Sequence, residues 1–215
     1  MSEALLSIRG LKKSYNGRKI LSVKTIAAHR GTCVLLRGAN GSGKTTLLKI
    51  IAGLLRPDSV MTWKFNGLSQ KPSQHGIRSV AYLHQTPYMF IGSVRDNISF
   101  AARYAGESAT VVEAALKKSE LVDVAGASAQ ELSGGMQQRL AMARIWAAQA
   151  KLYLLDEPTA YMDSDSVTFT QALITNMLQQ GATVIVAAHD DIGNFPFTET
   201  WELQDSDVLS RSHNS

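Results

Sequence analysis

The chain has 215 residues, 45% apolar and 19% charged, with a formal net charge of +4 at pH 7. That length suffices for one large domain with a real core, or one domain with a subdomain, and the charge permits an anionic partner without selecting one. The single cysteine, Cys33, excludes an internal disulfide and a multi-cysteine metal site, and no apolar run approaches the ~20 residues of a membrane span.

The opening "MSEALLSIRG" lacks the basic region and apolar core of a secretory signal, so none is expected. Residues 4–35 alternate apolar and polar, which predicts strands and turns. "CVLLRG", residues 33–38, predicts a strand that buries Cys33 and runs into a glycine-rich loop. "KTTLLKIIAGLL" then spaces Leu47, Leu48, Ile51, Leu54 and Leu55 at helical intervals, with Gly53 and Pro57 closing the helix. "VAYLHQ" predicts another strand, and residues 93–149 read as mostly helical. "KLYLLDEP" is a continuous apolar run, the mark of a strand buried on both faces. "DSVTFTQALITNMLQQG" predicts a helix ending at Gly181, and "ATVIVAAHD" a second buried strand. The polar tail from Gln204 is expected to fray. Strands alternating with helices predict a mostly parallel sheet.

Three stretches carry chemistry. "GANGSGKT", Gly38 to Thr45, fits G-x-x-x-x-G-K-[ST] between a strand and a helix. Gly41 and Gly43 let backbone N–H groups curl around phosphate oxygens, Lys44 brings a charge to the outer phosphates, and Thr45 offers a hydroxyl to Mg²⁺. Asp156 ends the buried strand, where it can reach the Mg²⁺ shell, and Glu157 beside it can take a proton from a water attacking the γ-phosphate. The plainer alternative for this pair is a capping or surface acidic pair. In "ELSGGMQQRL", Ser133 sits where an N-cap belongs, and Gly134 and Gly135 leave bare N–H groups for a second anion site.

Together these motifs, in this order, resemble the nucleotide-binding domain of ABC ATPases over nearly the whole chain, and "LSGGMQQR" resembles the family signature. The resemblance implies an α/β P-loop NTPase with a mostly parallel core sheet, an N-terminal antiparallel β subdomain and an inserted α-helical subdomain. It implies one domain over residues 1–215, with the helical part at 88–149 and a polar tail at 204–215. ATP would be held by Tyr15, stacked on adenine, and by Gly38, Ala39, Asn40, Gly41, Ser42, Gly43, Lys44, Thr45 and Thr46. Mg²⁺ would be met by Thr45, Gln85 and Asp156, and hydrolysis would use Glu157, Gln85 and His189. Ser133, Gly134 and Gly135 would close over the γ-phosphate of a second copy in a head-to-tail dimer. Tyr15 has an alternative as a half-buried turn tyrosine, and His189 as a structural histidine. His29, His75, His84 and His213 read as structural or surface residues. Three departures from the family pattern are Met136 for glutamine, Ala160-Tyr161-Met162 before Asp163 for Ser-Ala-Leu, and Ala188 for threonine before His189. Without that glutamine a capping box cannot close, so the signature helix is expected to start loosely.

The expected function is the Mg²⁺-dependent ATPase subunit of a membrane transporter, peripheral on the cytoplasmic side. Its partners would be a second copy, integral-membrane permease subunits and an extracytoplasmic solute-binding protein. A nucleic-acid ATPase is the alternative from another class, but there is no heptad run between the ATP motifs, no cysteine set for zinc and no tandem second domain, so no nucleic acid is expected. A non-hydrolysing module conflicts with Glu157. Import is expected, because a free-standing ATP domain is commoner among importers and "LHQTPYMFIGSVRDNISFAAR" resembles importers of oxyanions such as tungstate, molybdate and phosphate. The chain ends soon after His189, so no C-terminal regulatory domain is expected. The run Tyr88, Met89, Phe90, Ile91 is expected either on a partner surface or inside the helical subdomain's core.

Overall fold

The computed structural model describes residues 4–69, 79–159, 164–189 and 195–212. Ala160, Tyr161, Met162, Asp163, His75 and His213 lie outside the described residues. Among those described, ten strands form one sheet, in the order β5-β4-β1-β2-β10-β9-β3-β8-β7-β6.

The antiparallel side begins with β1 (Ala4–Tyr15) and β2 (Arg18–His29), in register at Ile8 and Ile26. They turn on Asn16 and Gly17, both with positive φ (48° and 78°), the backbone that a twisted two-residue hairpin requires. A second hairpin, β4 (Thr62–Phe65) and β5 (Leu68–Ser69), turns on Asn66 and Gly67 and adds antiparallel to β1.

The other side is parallel: β9 (Glu199–Gln204), β3 (Cys33–Gly38), β8 (Thr183–Ala188), β7 (Leu152–Asp156) and β6 (Val80–Leu83). The expected fray past Gln204 is corrected. Asp205 and Ser206 turn the chain back, and β10 (Asp207–Ser212) pairs antiparallel with β9 and meets β2 at Asp207 and Ser22. Backbone pairing, with Val208 buried, outweighs the polar composition that suggested disorder.

Helices α1 (Lys44–Ile51), α2 (Val94–Ala105), α3 (Ala109–Lys118), α4 (Gly134–Ala147) and α5 (Ser164–Gln179) cover the sheet. Residues along the central strands alternate between two cores. Cys33, Tyr153, Leu155, Val184 and Val186 pack with α2–α5, whereas Val34, Leu152, Leu154 and Ile185 pack with α1 and the antiparallel strands. This sidedness explains why β7 and β8 are buried at every position and read as unbroken apolar runs. The C-terminal ends of β3, β7 and β8 open on one edge, the usual place for a ligand in a parallel sheet.

Candidate functional site

At that edge β3 delivers the chain into the loop Gly38–Gly43. Gly43 precedes α1 with φ 109°, and a Cβ there would lie 2.9 Å from the Leu21 side chain. At Gly38 a Cβ would lie 2.7 Å from the Leu203 carbonyl oxygen, so only glycine fits either end of the loop. α1 starts with no side-chain cap and no acidic residue in its first turn, which leaves its N–H groups and positive dipole end suited to an anion. Ser42 Oγ is buried without a hydrogen-bond partner among the described residues, an orphan that a phosphate oxygen would satisfy.

Lys44 is 5% exposed, and its ammonium donates to the carbonyls of Gly38 (2.7 Å) and Ala39 (3.2 Å). It also stands 3.9 Å from Glu157 Oε1. Thr45 Oγ1 donates to Asp156 Oδ1 at 3.1 Å, and the Tyr82 hydroxyl donates to Asp156 Oδ2 at 2.9 Å. Burial, then the Asp156 charge, pushes the Tyr82 phenol well above its ordinary range, so it stays a donor. Asp156 is 1% exposed, and among the described residues its side-chain hydrogen bonds come from these two neutral hydroxyls. A buried carboxylate without a cation is costly, and a hard divalent ion beside Thr45 would neutralise it, so the donor set fits Mg²⁺.

Glu157 has φ 51°, a left-handed backbone that is unusual outside glycine. Its N–H donates to the Ala187 carbonyl at 2.9 Å, which fixes the turn, and its Oε2 accepts from Gln85 Nε2 at 2.6 Å. Lys44, Thr45, Gln85, Asp156 and Glu157, far apart in sequence, are thus brought together. Thr46 sits half-buried on the same helix turn.

His189 is exposed at the end of β8 and lines a cleft of about 1050 Å³ with Gly38, Ala39, Asn40, Gly41, Ser42 and, from β2, Arg18, Lys19 and Ile20. Tyr15 pairs with Arg18 across the hairpin but is not among the residues lining that cleft. Its ring is 47% exposed, with the Lys13 ammonium 5.1 Å from the centroid.

Ser133, Gly134 and Gly135 lie exposed at the start of α4, apart from that cluster. A Cβ at Gly134 would meet nothing within 4 Å, and one at Gly135 only Ser166 Oγ at 3.9 Å, so packing within the chain does not demand glycine there. Ser133 Oγ accepts from the Met136 N–H at 3.4 Å. The sequence reading missed a second tie: Gln137 Nε2 donates to the carbonyls of Leu132 (3.1 Å) and Gln130 (3.4 Å). Met136 itself packs against the helix-side core.

The apolar run after Gln85 divides. Met89 is buried in the chain's own core and Phe90 is half-buried, whereas Tyr88 and Ile91 are 67% and 86% exposed. Asn97, fully buried on α2, holds this loop by accepting from the Phe90 N–H (2.9 Å) and donating to the carbonyls of Phe90 and Ser93 (both 3.0 Å). Arg144 donates to the Tyr88 carbonyl at 2.7 Å and stacks over the Phe90 ring at 4.5 Å. Its guanidinium pKa is lowered by burial. Beneath the loop, Tyr82, Phe90, Phe100, Tyr104 and Arg144 wall an apolar groove of about 250 Å³.

The chain matches the family model described as ABC transporter over residues 22–160. It is 37% identical over 191 residues to the cytochrome c biogenesis ATP-binding export protein CcmA of Rhodospirillum rubrum, covering 88% of this chain and 79% of that protein. It is 32% identical to the pyoverdine export ATP-binding/permease protein PvdT of Pseudomonas syringae pv. tomato, covering 98% of this chain and 34% of that longer protein. Among solved structures it is similar to cbiO1 of Clostridium perfringens, described as part of the ABC transporter complex cbiONQ, with TM-score 0.83, 27% identity, and 98% and 89% of the two chains covered.

Proposed function

Because the chain belongs to the ABC transporter family and is an ATP-binding subunit of such a transporter, we propose that it hydrolyses ATP with Mg²⁺ and couples that reaction to export. The observation that carries the reading is the convergence of Lys44, Thr45, Asp156, Glu157 and Gln85 at the glycine-lined loop. The loop N–H groups and Lys44 hold the phosphates, with Ser42 Oγ as a further donor. Thr45, Asp156 and Gln85 hold Mg²⁺, which supplies charge neutralisation at the phosphoryl oxygens. Glu157, oriented by Gln85, accepts the proton of the attacking water, and His189 reaches the γ-phosphate from the end of β8. Tyr15, paired with the cleft-lining Arg18 and half exposed, offers the adenine a ring face. Residues 1–215 act as one nucleotide-binding domain, with the helices in 88–149 as its subdomain.

Hydrolysis needs a second copy, whose Ser133, Gly134 and Gly135 would cover the phosphate. The open space over Gly134 supports an approach from outside the chain. The membrane partner docks on Tyr88, Ile91 and the groove beneath them. As an ATP-binding subunit of a transporter it would sit peripherally on the cytoplasmic side of the membrane; among the described residues no helix is long and apolar enough to cross it. Both curated relatives are named for export, so the expected import has no support from them, and neither has a solute-binding partner or a nucleic acid. The test is phosphate release by the purified chain with ATP and Mg²⁺, alongside Lys44→Ala and Glu157→Gln. Equal turnover in all three would overturn the reading.

A further inference from the structure

We propose that Tyr82 is a positioning residue for metal binding: its hydroxyl holds Asp156 in the orientation that accepts Mg²⁺. This rests on the reading of the site as a MgATP site. Tyr82 pairs in register with Leu154, and Asp156 lies two residues further along β7. Side chains two apart on a strand share a face, so the long Tyr82 side chain reaches diagonally to the end of its neighbour strand. Its 2.9 Å bond to Oδ2 is the counterpart of the 3.1 Å bond from Thr45 to Oδ1. Each oxygen therefore has one donor, and the carboxylate plane is set.

The two donors are not equivalent. Thr45 would itself offer its hydroxyl oxygen to the ion, and so would give up its donation to Asp156. Tyr82 comes from β6, the parallel neighbour of β7, and touches only the ligand, so it would keep its bond and hold Asp156 with the metal bound. Mg²⁺ tolerates little departure from octahedral geometry, so a carboxylate free to rotate binds it less well. Partners of this kind, touching a ligand rather than the metal, commonly change metal affinity about 10- to 100-fold when removed.

Tyr82→Phe keeps the ring and its edge contact with His84, at 4.5 Å between centroids, and deletes only the hydroxyl. Three measurements on the full chain test the proposal: Mn²⁺ binding to the nucleotide-loaded protein by electron paramagnetic resonance, ATP affinity in EDTA by calorimetry, and melting temperature without ligand. The expected result is Mn²⁺ binding weakened by about ten-fold with metal-free ATP affinity as in wild type, and a lower ligand-free melting temperature from the unpaired carboxylate oxygen. Mn²⁺ affinity within two-fold of wild type would overturn the proposal. So would an equal loss of metal-free ATP affinity, since that makes the hydroxyl a general structural group. A wild-type chain that binds ATP no better with metal than in EDTA would overturn the site reading itself, and the role of Tyr82 with it.

Discussion

Glu157 is the residue where backbone and chemistry meet. Its positive φ costs of order 1–3 kcal/mol in a non-glycine residue, and the Ala187 carbonyl and Gln85 amide hold it there. Glutamine at this position can keep the bond to Gln85 but cannot accept the proton of water. Glu157→Gln should therefore retain ATP affinity in calorimetry while steady-state turnover falls by at least about 10²-fold. Lys44 has a different pair of duties. Its ammonium ties the carbonyls of Gly38 and Ala39, so Lys44→Ala removes the charge proposed to meet the phosphates and also leaves part-buried acceptors unpaired. ATP binding should be lost, and stability should fall by about 1–3 kcal/mol, read as a lower midpoint in urea. An unchanged midpoint would show that water replaces the lysine at those carbonyls.

Among elements, α2 owes its influence to Asn97. This side chain satisfies the Phe90 N–H and two carbonyls in a fully buried setting, and so fixes the loop that presents Tyr88 and Ile91. Asn97→Ala strands those groups and should destabilise the chain by about 1–3 kcal/mol. It should also speed hydrogen exchange in residues 86–93 more than elsewhere, which peptide-resolved mass spectrometry would detect. The glycine loop before α1 and the acidic pair at the end of β7 were legible as structure because each depends on a local strand-to-loop transition written in adjacent residues. Tyr82, Asn97 and Arg144 were not, since their partners are brought in by the fold from other strands and helices. The hairpin at β4 and β5 did have a signal, the Asn66-Gly67 pair between apolar residues, and so did the one at Asn16-Gly17. β10 had none, because its pairing partner rather than its composition makes it a strand. At α4 the missing glutamine at Met136 was visible, but the compensating reach of Gln137 back to Leu132 depends on loop geometry that spacing does not encode.

At the scale of the molecule, one sheet serves as the wall of two cores, and its open edge carries only half of each proposed catalytic site. ATP should therefore drive association. Size-exclusion chromatography of Glu157→Gln should show a dimer with ATP and a monomer without it, and a monomer in both would leave Ser133–Gly135 without a role. The cores also set the response to alkali. Burial pushes the Cys33 thiol from 9.0 up to about 12 and the Tyr153 phenol from 10.0 up to about 12. The unfolded chain releases these protons first. The stability they contribute is thus complete below pH 9 and is lost as pH rises toward 12, at about 1.4 kcal/mol per pH unit for each group in its window. Cys33→Ala should flatten the slope of stability against pH between 9 and 12 by one proton's worth, as measured by urea titrations across that range.

Cys33 is the sole thiol of the chain, fully enclosed beside the helices, and protonated at any ordinary pH. It makes the protein a chemical clock for its own opening. An alkylating reagent can mark this sulfur only during excursions that open the core between the sheet and its helices, so the marking rate reports those excursions. A ligand that binds only the closed form slows the clock by the factor 1 + [L]/Kd, about 100-fold at a hundred times Kd. ATP, ADP and each metal can then be ranked by how long the sulfur stays unmarked, with no engineered cysteine and no hydrolysis required.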